Sequence, residues 1–415
     1  MKFAVDFHIH SKYSRATSKD MVLESLDKWA GIKGLKVMGT GDFTHPEWFK
    51  SLQEKLIPKE SGLFGLKTGG DTRFILTSEI SCIYSKNGRV RKIHILIFAP
   101  SLAIVGKINA QLNLIGNIKS DGRPILGLDA KELAKIVFNI SPECLIIPAH
   151  IWTPWFSIFG SKSGFDSIEE CFEEYSKYIY TAETGLSSDP AMNWRLSALD
   201  KITLISNSDA HSPQKIGREA NVFNTELSYG AISQILKEKD PKKFLYTIEF
   251  FPEEGKYHYD GHRVCEIRLS PAETKKYHGL CPVCKKPLTV GVLNRVDELA
   301  DRKEGFRPQG AIPFKSLVPL PEIIAESLGV TTASQKVGIE YQNLIKKLGN
   351  ELNVLIETSE ADLKKATLPE IAQAILQVRE GKVSINPGYD GVYGKVKLIP
   401  AKEERKSVKQ NTLFQ

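Results

Sequence analysis

No run of apolar residues in this chain of 415 approaches the roughly 20 needed to cross a bilayer. The opening residues, Met1-Lys2-Phe3-Ala4-Val5-Asp6, enter a strand pattern at once and leave no room for a secretory leader, so the expected location is the cytoplasm. Cysteine is scarce, at six residues, and in a reducing compartment those six are expected as thiols or metal ligands and not as a disulfide framework. A glycine-rich phosphate loop of the Walker type is missing, so ATP use is not indicated. Hydrophobic content of 41% and charged content of 25% are those of an ordinary soluble protein, with length enough for two or three domains. Histidine is also sparse, at nine residues, and its placement organises the rest of the reading.

Phe3, Val5, Phe7 and Ile9 alternate with Ala4, Asp6, His8 and His10, a period of two that predicts a strand. Residues two apart share a face, so Asp6, His8 and His10 leave the strand side by side, as half of a site for a transition metal. The next histidines each follow, or lie within, a short apolar run: His45 after Gly39-Thr40-Gly41-Asp42, His94 in Ile93–Phe98, His150 after Leu145–Ala149, and His211 after Ser208-Asp209-Ala210. Asp42, Glu79 and Asp209 occupy comparable places. Strands recurring with helical stretches between them predict a βα-barrel with ligands at the strands' carboxyl ends. A carboxylate is the ligand type here that readily bridges two cations, which singles out Glu79.

Helical spacing is expected over 21–32, 102–118, 130–137, 191–199, 321–328, 334–348 and 369–379, and Asn87-Gly88 signals a hairpin between strands 72–83 and 91–99. After His150 come Trp152, Trp155 and Phe156, either core or a stacking wall for a nucleobase. Glu183 is a candidate for substrate positioning or for support of a ligand, and Asp189 reads more simply as a helix start. Tyr389, in the loop Asn386–Gly394, is a further stacking candidate. The remaining histidines sit with half of the cysteines. Cys281-x-x-Cys284 is a zinc knuckle, Cys265 supplies a third ligand and His262 a fourth, with His258 and His278 as rivals for that place. The organisation expected is a barrel over 1–240, a zinc module over 241–310, a helical region over 311–400 that contacts nucleic acid, and a tail over 401–415. Of the net charge of +7, residues 241–415 carry +5 (27 Lys and Arg against 22 Asp and Glu); alone this mild excess says little, and only beside a phosphoesterase site does it favour a polyanionic substrate.

The series from Asp6-Phe7-His8-Ile9-His10-Ser11 through Asp42–His45, Glu79, His94, His150 and Ser208-Asp209-Ala210-His211 resembles the PHP (polymerase and histidinol phosphatase) superfamily over residues 1 to about 215. That resemblance implies an α/β fold, a distorted seven-stranded βα-barrel, phosphoesterase chemistry, and two to three divalent ions (Zn, Mn or Mg). By the family pattern His8, His10, Glu79 and Asp209 would hold one ion, Glu79, His94 and His150 a second, and His45, His211 and Asp42 a third. Relatives place that last acid directly beside its histidine, whereas two residues intervene here. Asp209, Glu79 and His211 would be the catalytic group. With Asp260–Cys265, Cys281–Cys284 and Asn386–Gly394 added, the chain resembles the endonuclease Q family of PHP nucleases over nearly its whole length. That implies a DNA repair nuclease cutting 5′ of deaminated bases (uracil, hypoxanthine, xanthine) or abasic sites, with 3′-hydroxyl and 5′-phosphate products; apart from the resemblance, a monomer is expected. The last residues, Gln410-Asn411-Thr412-Leu413-Phe414, resemble the peptide by which bacterial replication and repair proteins bind the sliding clamp, with Gln410, Leu413 and Phe414 as the contacts. Two other classes are weighed against this: a small-molecule phosphatase, which leaves the zinc module and the tail unexplained, and a non-catalytic DNA-binding factor, which leaves the full ligand series unexplained.

Overall fold

Seven strands close around one core, and their joining order explains why distant histidines meet. The computed structural model describes residues 1–398. The tail motif at Gln410, Leu413 and Phe414 lies outside the described residues. Strands β1 (Lys2–Asp6), β2 (Leu35–Gly39) and β3 (Arg73–Lys86) run parallel in that order. Strand β4 (Arg89–Ala99) turns back on β3 and then pairs antiparallel with β5 (Leu145–Pro148), so one strand of the ring runs against the others. The turn between β3 and β4 is Asn87-Gly88, both with positive φ (54° and 71°), as a two-residue hairpin of strongly twisted strands requires. Strands β6 (Thr181–Glu183) and β7 (Thr203–Ile205) are parallel partners. The Ile151 amide donates to the Glu183 carbonyl at 3.0 Å, and Ile9 bridges Ala210, closing the ring from β5 to β6 and from β7 to β1. Strands β8 (Ala220–Asn224) and β9 (Phe244–Glu249) extend the sheet beyond β1, so residues to Glu249 belong to the barrel layer.

Alternation along β1 sends Phe3, Val5 and Phe7 into an inner core with Val37, Ile75 and Phe98. Ala4 faces an outer layer that packs on helices α1 (Leu23–Lys33), α2 (Pro46–Lys55), α3 (Leu102–Ile115) and α4 (Ala130–Ile140). Helix α4 begins at an Asp129 cap, as its sequence predicts, and Asp189 caps a single turn, Pro190–Asn193, where a longer helix was expected. Helix α5 (Tyr229–Glu238) lies against the inner core through Ile232 and Ile235. The cysteine-rich segment folds as the hairpin β10 (Asp260–His262) and β11 (Ile267–Leu269) with helix α6 (Val292–Leu299). Arg295 of α6 reaches the Phe159 and Phe165 carbonyls at 3.1 Å and fixes this module to the barrel. Strand β12 (Phe314–Ser316) pairs with β9 and leads into helices α7 (Leu320–Ser327), α8 (Gln335–Leu348), α9 (Glu360–Ala366) and α10 (Pro369–Arg379), which end at the hairpin β13 (Val383–Asn386) and β14 (Lys395–Leu398). A buried ion pair, Lys33 to Glu351 at 2.6 Å, joins α1 to this helical region. No helix of the described residues is long and apolar enough to cross a membrane.

Candidate metal centre

Residues beyond the strand ends, joined by Glu79 from within β3 and His94 from within β4, make two sets of ligand atoms that share one carboxylate. His8, His10, Glu79 and Asp209 form the first set, and Glu79, His94 and His150 the second. Within each set the ligand atoms lie within 4.8 Å of one another. Glu79 comes from the middle of β3, where it is 1% exposed. Its Oε2 lies 3.5 Å from His8 Nε2 and 3.2 Å from His10 Nε2, while Oε1 lies 2.8 Å from His94 Nδ1 and 3.1 Å from His150 Nε2. Burial favours the neutral acid, but His94, Arg123 and His8 outweigh it and hold Glu79 well below the usual carboxylate range. Asp209 is held low against burial by His8 and His10. Burial pushes His94 down to about 4, against the pull of Glu79, whose Oε1 its Nδ1 faces.

An ion fits the first set because three of its four ligands present atoms that are otherwise orphans. His8 Nε2, His10 Nε2 and Asp209 Oδ1 are buried without a hydrogen-bond partner. His10 Nε2 is 3.1 Å from Asp209 Oδ1 without hydrogen-bond geometry, as expected of neighbours aimed at a common ion. The opposite nitrogens are fully employed. His8 Nδ1 donates to both Glu183 oxygens at 3.0 Å, and His10 Nδ1 donates to Asp42 Oδ1 at 2.9 Å. Such partners fix tautomer and ring orientation, so each Nε2 faces the ligand position. Glu183 also accepts from the His150 amide and from Asn207, both at 2.8 Å, and Asn207 in turn accepts from the Phe7 amide. Asp6 accepts from the Ser208 and Gly217 amides and so shapes the loop that carries Asp209. Its place on the His8/His10 face is structural. Asp42, His150 and Asp209 have positive φ (47°, 30° and 46°), a strain of roughly 1–3 kcal/mol each that the surrounding hydrogen bonds must hold.

The third set is not gathered in the same way. Asp42 spends Oδ1 on His10 and Oδ2 on the Ser11 amide, the Ser11 hydroxyl and the Ser14 hydroxyl. His45 stacks on Tyr13 with ring centres 4.4 Å apart, and its Nδ1 is a buried orphan. The His211 ring lies 4.6 Å from that of His10, with Nδ1 turned to the Asp209 carbonyl. Trp152 is core: 1% exposed, it donates to Asn193. Trp155 is different. It is 41% exposed and lines a 440 Å³ cleft with Phe156, Tyr257, Lys256 and His258. Phe156 packs against the His94 ring at 4.7 Å, so this cleft opens beside the second ligand set. The Tyr389 ring covers Gly261, where a Cβ would lie 2.3 Å from it, and it helps to hold the cysteine-rich hairpin in place.

Two features escaped the sequence. Arg123 reaches Glu79 Oε2 at 3.1 Å, with a side chain 27% exposed toward solvent. The loop that carries it is pinned by the Gly122 amide on the Tyr13 carbonyl and the Ser81 amide on the Pro124 carbonyl. No pattern in Asp121-Gly122-Arg123-Pro124 announces this role. Asn207 is the second, hidden because its partners Phe7, Glu183 and Asn221 come from three separate segments of the chain. In the module, His262, Cys265, Cys281 and Cys284 place their ligand atoms within 4.8 Å of one another, with His262 Nδ1 3.5 Å from Cys284 Sγ. His258 instead is buried beneath the aromatic cleft.

Comparison with known proteins places this architecture. The structure of the lesion-specific endonuclease PfuEndoQ from Pyrococcus furiosus superimposes with a TM-score of 0.86 at 31% identity, over 98% of this chain and 99% of that one. The chain belongs to the endonuclease Q family. Endonuclease Q in complex with a 27-mer duplex carrying an abasic lesion at the active site matches at 32% identity and a TM-score of 0.84, over 97% and 98% of the two chains. Residues 319–382 match the family described as the MJ0043 C-terminal domain. The protein MJ0043 of Methanocaldococcus jannaschii is 36% identical over 261 residues, which is 61% of this chain but 32% of that longer protein. An endonuclease Q fold makes this chain a metal-dependent hydrolase, and the two shared ligand sets are where divalent ions fit.

Proposed function

We propose that this protein is a DNA repair endonuclease that cuts the phosphodiester 5′ of a deaminated base or an abasic site, leaving a 3′-hydroxyl and a 5′-phosphate. The observation that carries the reading is the pair of ligand sets meeting at Glu79 beside an aromatic cleft, in a chain that matches lesion-acting endonucleases end to end. His8, His10, Glu79 and Asp209 would hold one divalent ion, and Glu79, His94 and His150 another. Bound there, such ions supply Lewis acidity for activating water and neutralising the departing 3′-oxygen. The chain's own residues do the rest. Glu183 and Asp42 hold the histidine tautomers, Glu79 and Asp209 stay ionised, and the Arg123 guanidinium presents unused donors to a phosphate oxygen. His211, beside His10 at the open edge, would face the departing oxygen. A damaged base must leave the stack to be read, and the cleft of Trp155, Phe156 and Tyr257 offers it stacking partners. The four-ligand cluster of His262, Cys265, Cys281 and Cys284 would hold a structural zinc.

A labelled duplex with a single deoxyuridine, deoxyinosine or abasic site, incubated with Mn²⁺ or Mg²⁺, tests the reading. One cut immediately 5′ of the lesion is expected, and an uncut lesion duplex would overturn it. Recruitment to the sliding clamp through Gln410, Leu413 and Phe414 is a separable part of the proposal. Deleting residues 410–415 should abolish clamp binding and leave cleavage of a short duplex intact.

A further inference from the structure

The cysteine-rich hairpin repeats one short pattern, and the repeat has a surface that the metal does not explain. His262-Arg263-Val264-Cys265 and Cys281-Pro282-Val283-Cys284 both read ligand, any residue, valine, cysteine. In each the two ends point into the cluster and the valine points out. Val264 is 85% exposed and Val283 66%. The module's own apolar core is Leu269, Leu288 and the cysteines, and neither valine belongs to it. An exposed valine is ordinary, but two at the same place in two turns, each turn clamped by ligands, form a pair of rigid apolar tips.

The surroundings of the tips are cationic. Residues 261–288 carry six Lys and Arg against two Glu. Of the two acids, Glu273 is occupied in a capping box with Ser270. Arg268 is committed to Asn386 and Pro387, and Lys275 to Asp297, which leaves four exposed cations, Arg263, Lys276, Lys285 and Lys286, against the exposed Glu266. Arg263, Lys285 and Lys286 flank the valines in the chain, and Lys285 also donates to the Pro282 carbonyl at 3.0 Å. The first turn also stands at the rim of the aromatic cleft. An Arg263 guanidinium nitrogen and the Tyr257 hydroxyl each lie 3.8 Å from one point, the Cβ position above Gly391, and Tyr257 is a wall of that cleft.

We propose that the two turns are a wedge for duplex DNA: Val264 and Val283 enter between base steps beside the lesion, and Arg263, Lys285 and Lys286 take the flanking phosphates. This rests on the nuclease reading above and adds what opens the duplex. Charge selects the occupant. Small apolar tips on a module with a net excess of cations match a groove edged by phosphates, where an apolar side chain can unstack a step and the backbone contacts offset the cost. Rigid ligand-clamped turns lose little conformational freedom on insertion.

The test uses the full-length, metal-loaded protein and its V264S/V283S variant, on a duplex with one abasic site and 2-aminopurine next to it. The wild type should raise the 2-aminopurine fluorescence on binding. The variant should bind roughly tenfold or more weakly and lose most of that rise, because without the wedge the step stays stacked and the contacts of the bent duplex are not made. Its zinc content, melting temperature and hydrolysis of bis(p-nitrophenyl) phosphate should equal the wild type's, which excludes misfolding. A K285Q/K286Q variant should lower the salt slope of binding. If the wild type cuts the lesion duplex and V264S/V283S binds it with equal affinity and equal fluorescence, the wedge is wrong and the nuclease reading stands. If the wild type neither binds nor cuts lesion duplex, both fall.

Discussion

Replacing Glu183 by glutamine probes the centre without removing any candidate ligand. The carboxylate is fully buried and receives three donors: the His8 Nδ1–H, the His150 amide and the Asn207 side-chain amide. Two carboxylate oxygens accept all three. A glutamine has the same volume but one oxygen, and its NH₂ group must face at least one of those donors. Either His8 loses the partner that fixes its tautomer, or a buried donor is left unpaired at a cost of about 1–3 kcal/mol. Removing such support around a metal ligand weakens affinity roughly 10–100-fold, which is about 1.4–2.7 kcal/mol. Chelator competition with Mn²⁺ or Zn²⁺ on the apo protein should show that loss for one ion, with an unchanged far-UV circular dichroism spectrum. Cleavage should fall at limiting metal and recover largely at saturating metal. Undiminished affinity for every ion would refute the claim that Glu183 sets the orientation of His8.

Three further outcomes follow from the same geometry. Arg123→Gln should leave the bound ions in place by elemental analysis but slow single-turnover cleavage by roughly 10–100-fold, the worth of one charge-assisted contact. Cys281→Ser should remove one zinc per chain and lower the melting temperature, because the binding energy of such a cluster is folding energy. Glu249, buried beside Thr184 and Thr247, has its pKa pushed by burial from 4.5 up to about 8. The folded state therefore holds a proton that the unfolded chain releases, and stability declines as pH rises from about 4.5 through 8. Glu249→Gln removes that penalty, so thermal melts of the variant should fall less between pH 6 and pH 9 than those of the wild type. Parallel melts of the two proteins would contradict the assignment.

The parts of this protein written in local patterns were legible in its sequence. Period-two alternation announced β1 and put His8 and His10 on one face, and Asn87-Gly88 announced the β3–β4 hairpin. The four-ligand cluster was visible as paired short spacings, which put His262 ahead of its rivals His258 and His278; the structure gathers His262 with the three cysteines, while His258 is buried at the aromatic cleft. What the sequence hid was which hydrogen bonds a side chain had already made, how it packed, and which distant segments the closed ring brought to it. Asp42 has the right chemistry for a ligand, yet His10, Ser11 and Ser14 use both of its oxygens. Trp152 and Trp155 are three residues apart, and only packing sends one into the core and the other into the cleft. Arg123 belongs to a loop with no periodicity, and its meeting with Glu79 is a property of the closed ring.

The most direct test of the account compares wild type, His10→Ala and Asp209→Asn on one end-labelled duplex with a single abasic site, each protein with its metal content measured. The account predicts that the wild type cuts once, 5′ of the site, and leaves the undamaged duplex whole. Both variants should bind the same DNA measurably and leave it uncut. Cleavage at the wild-type rate by either variant would contradict it.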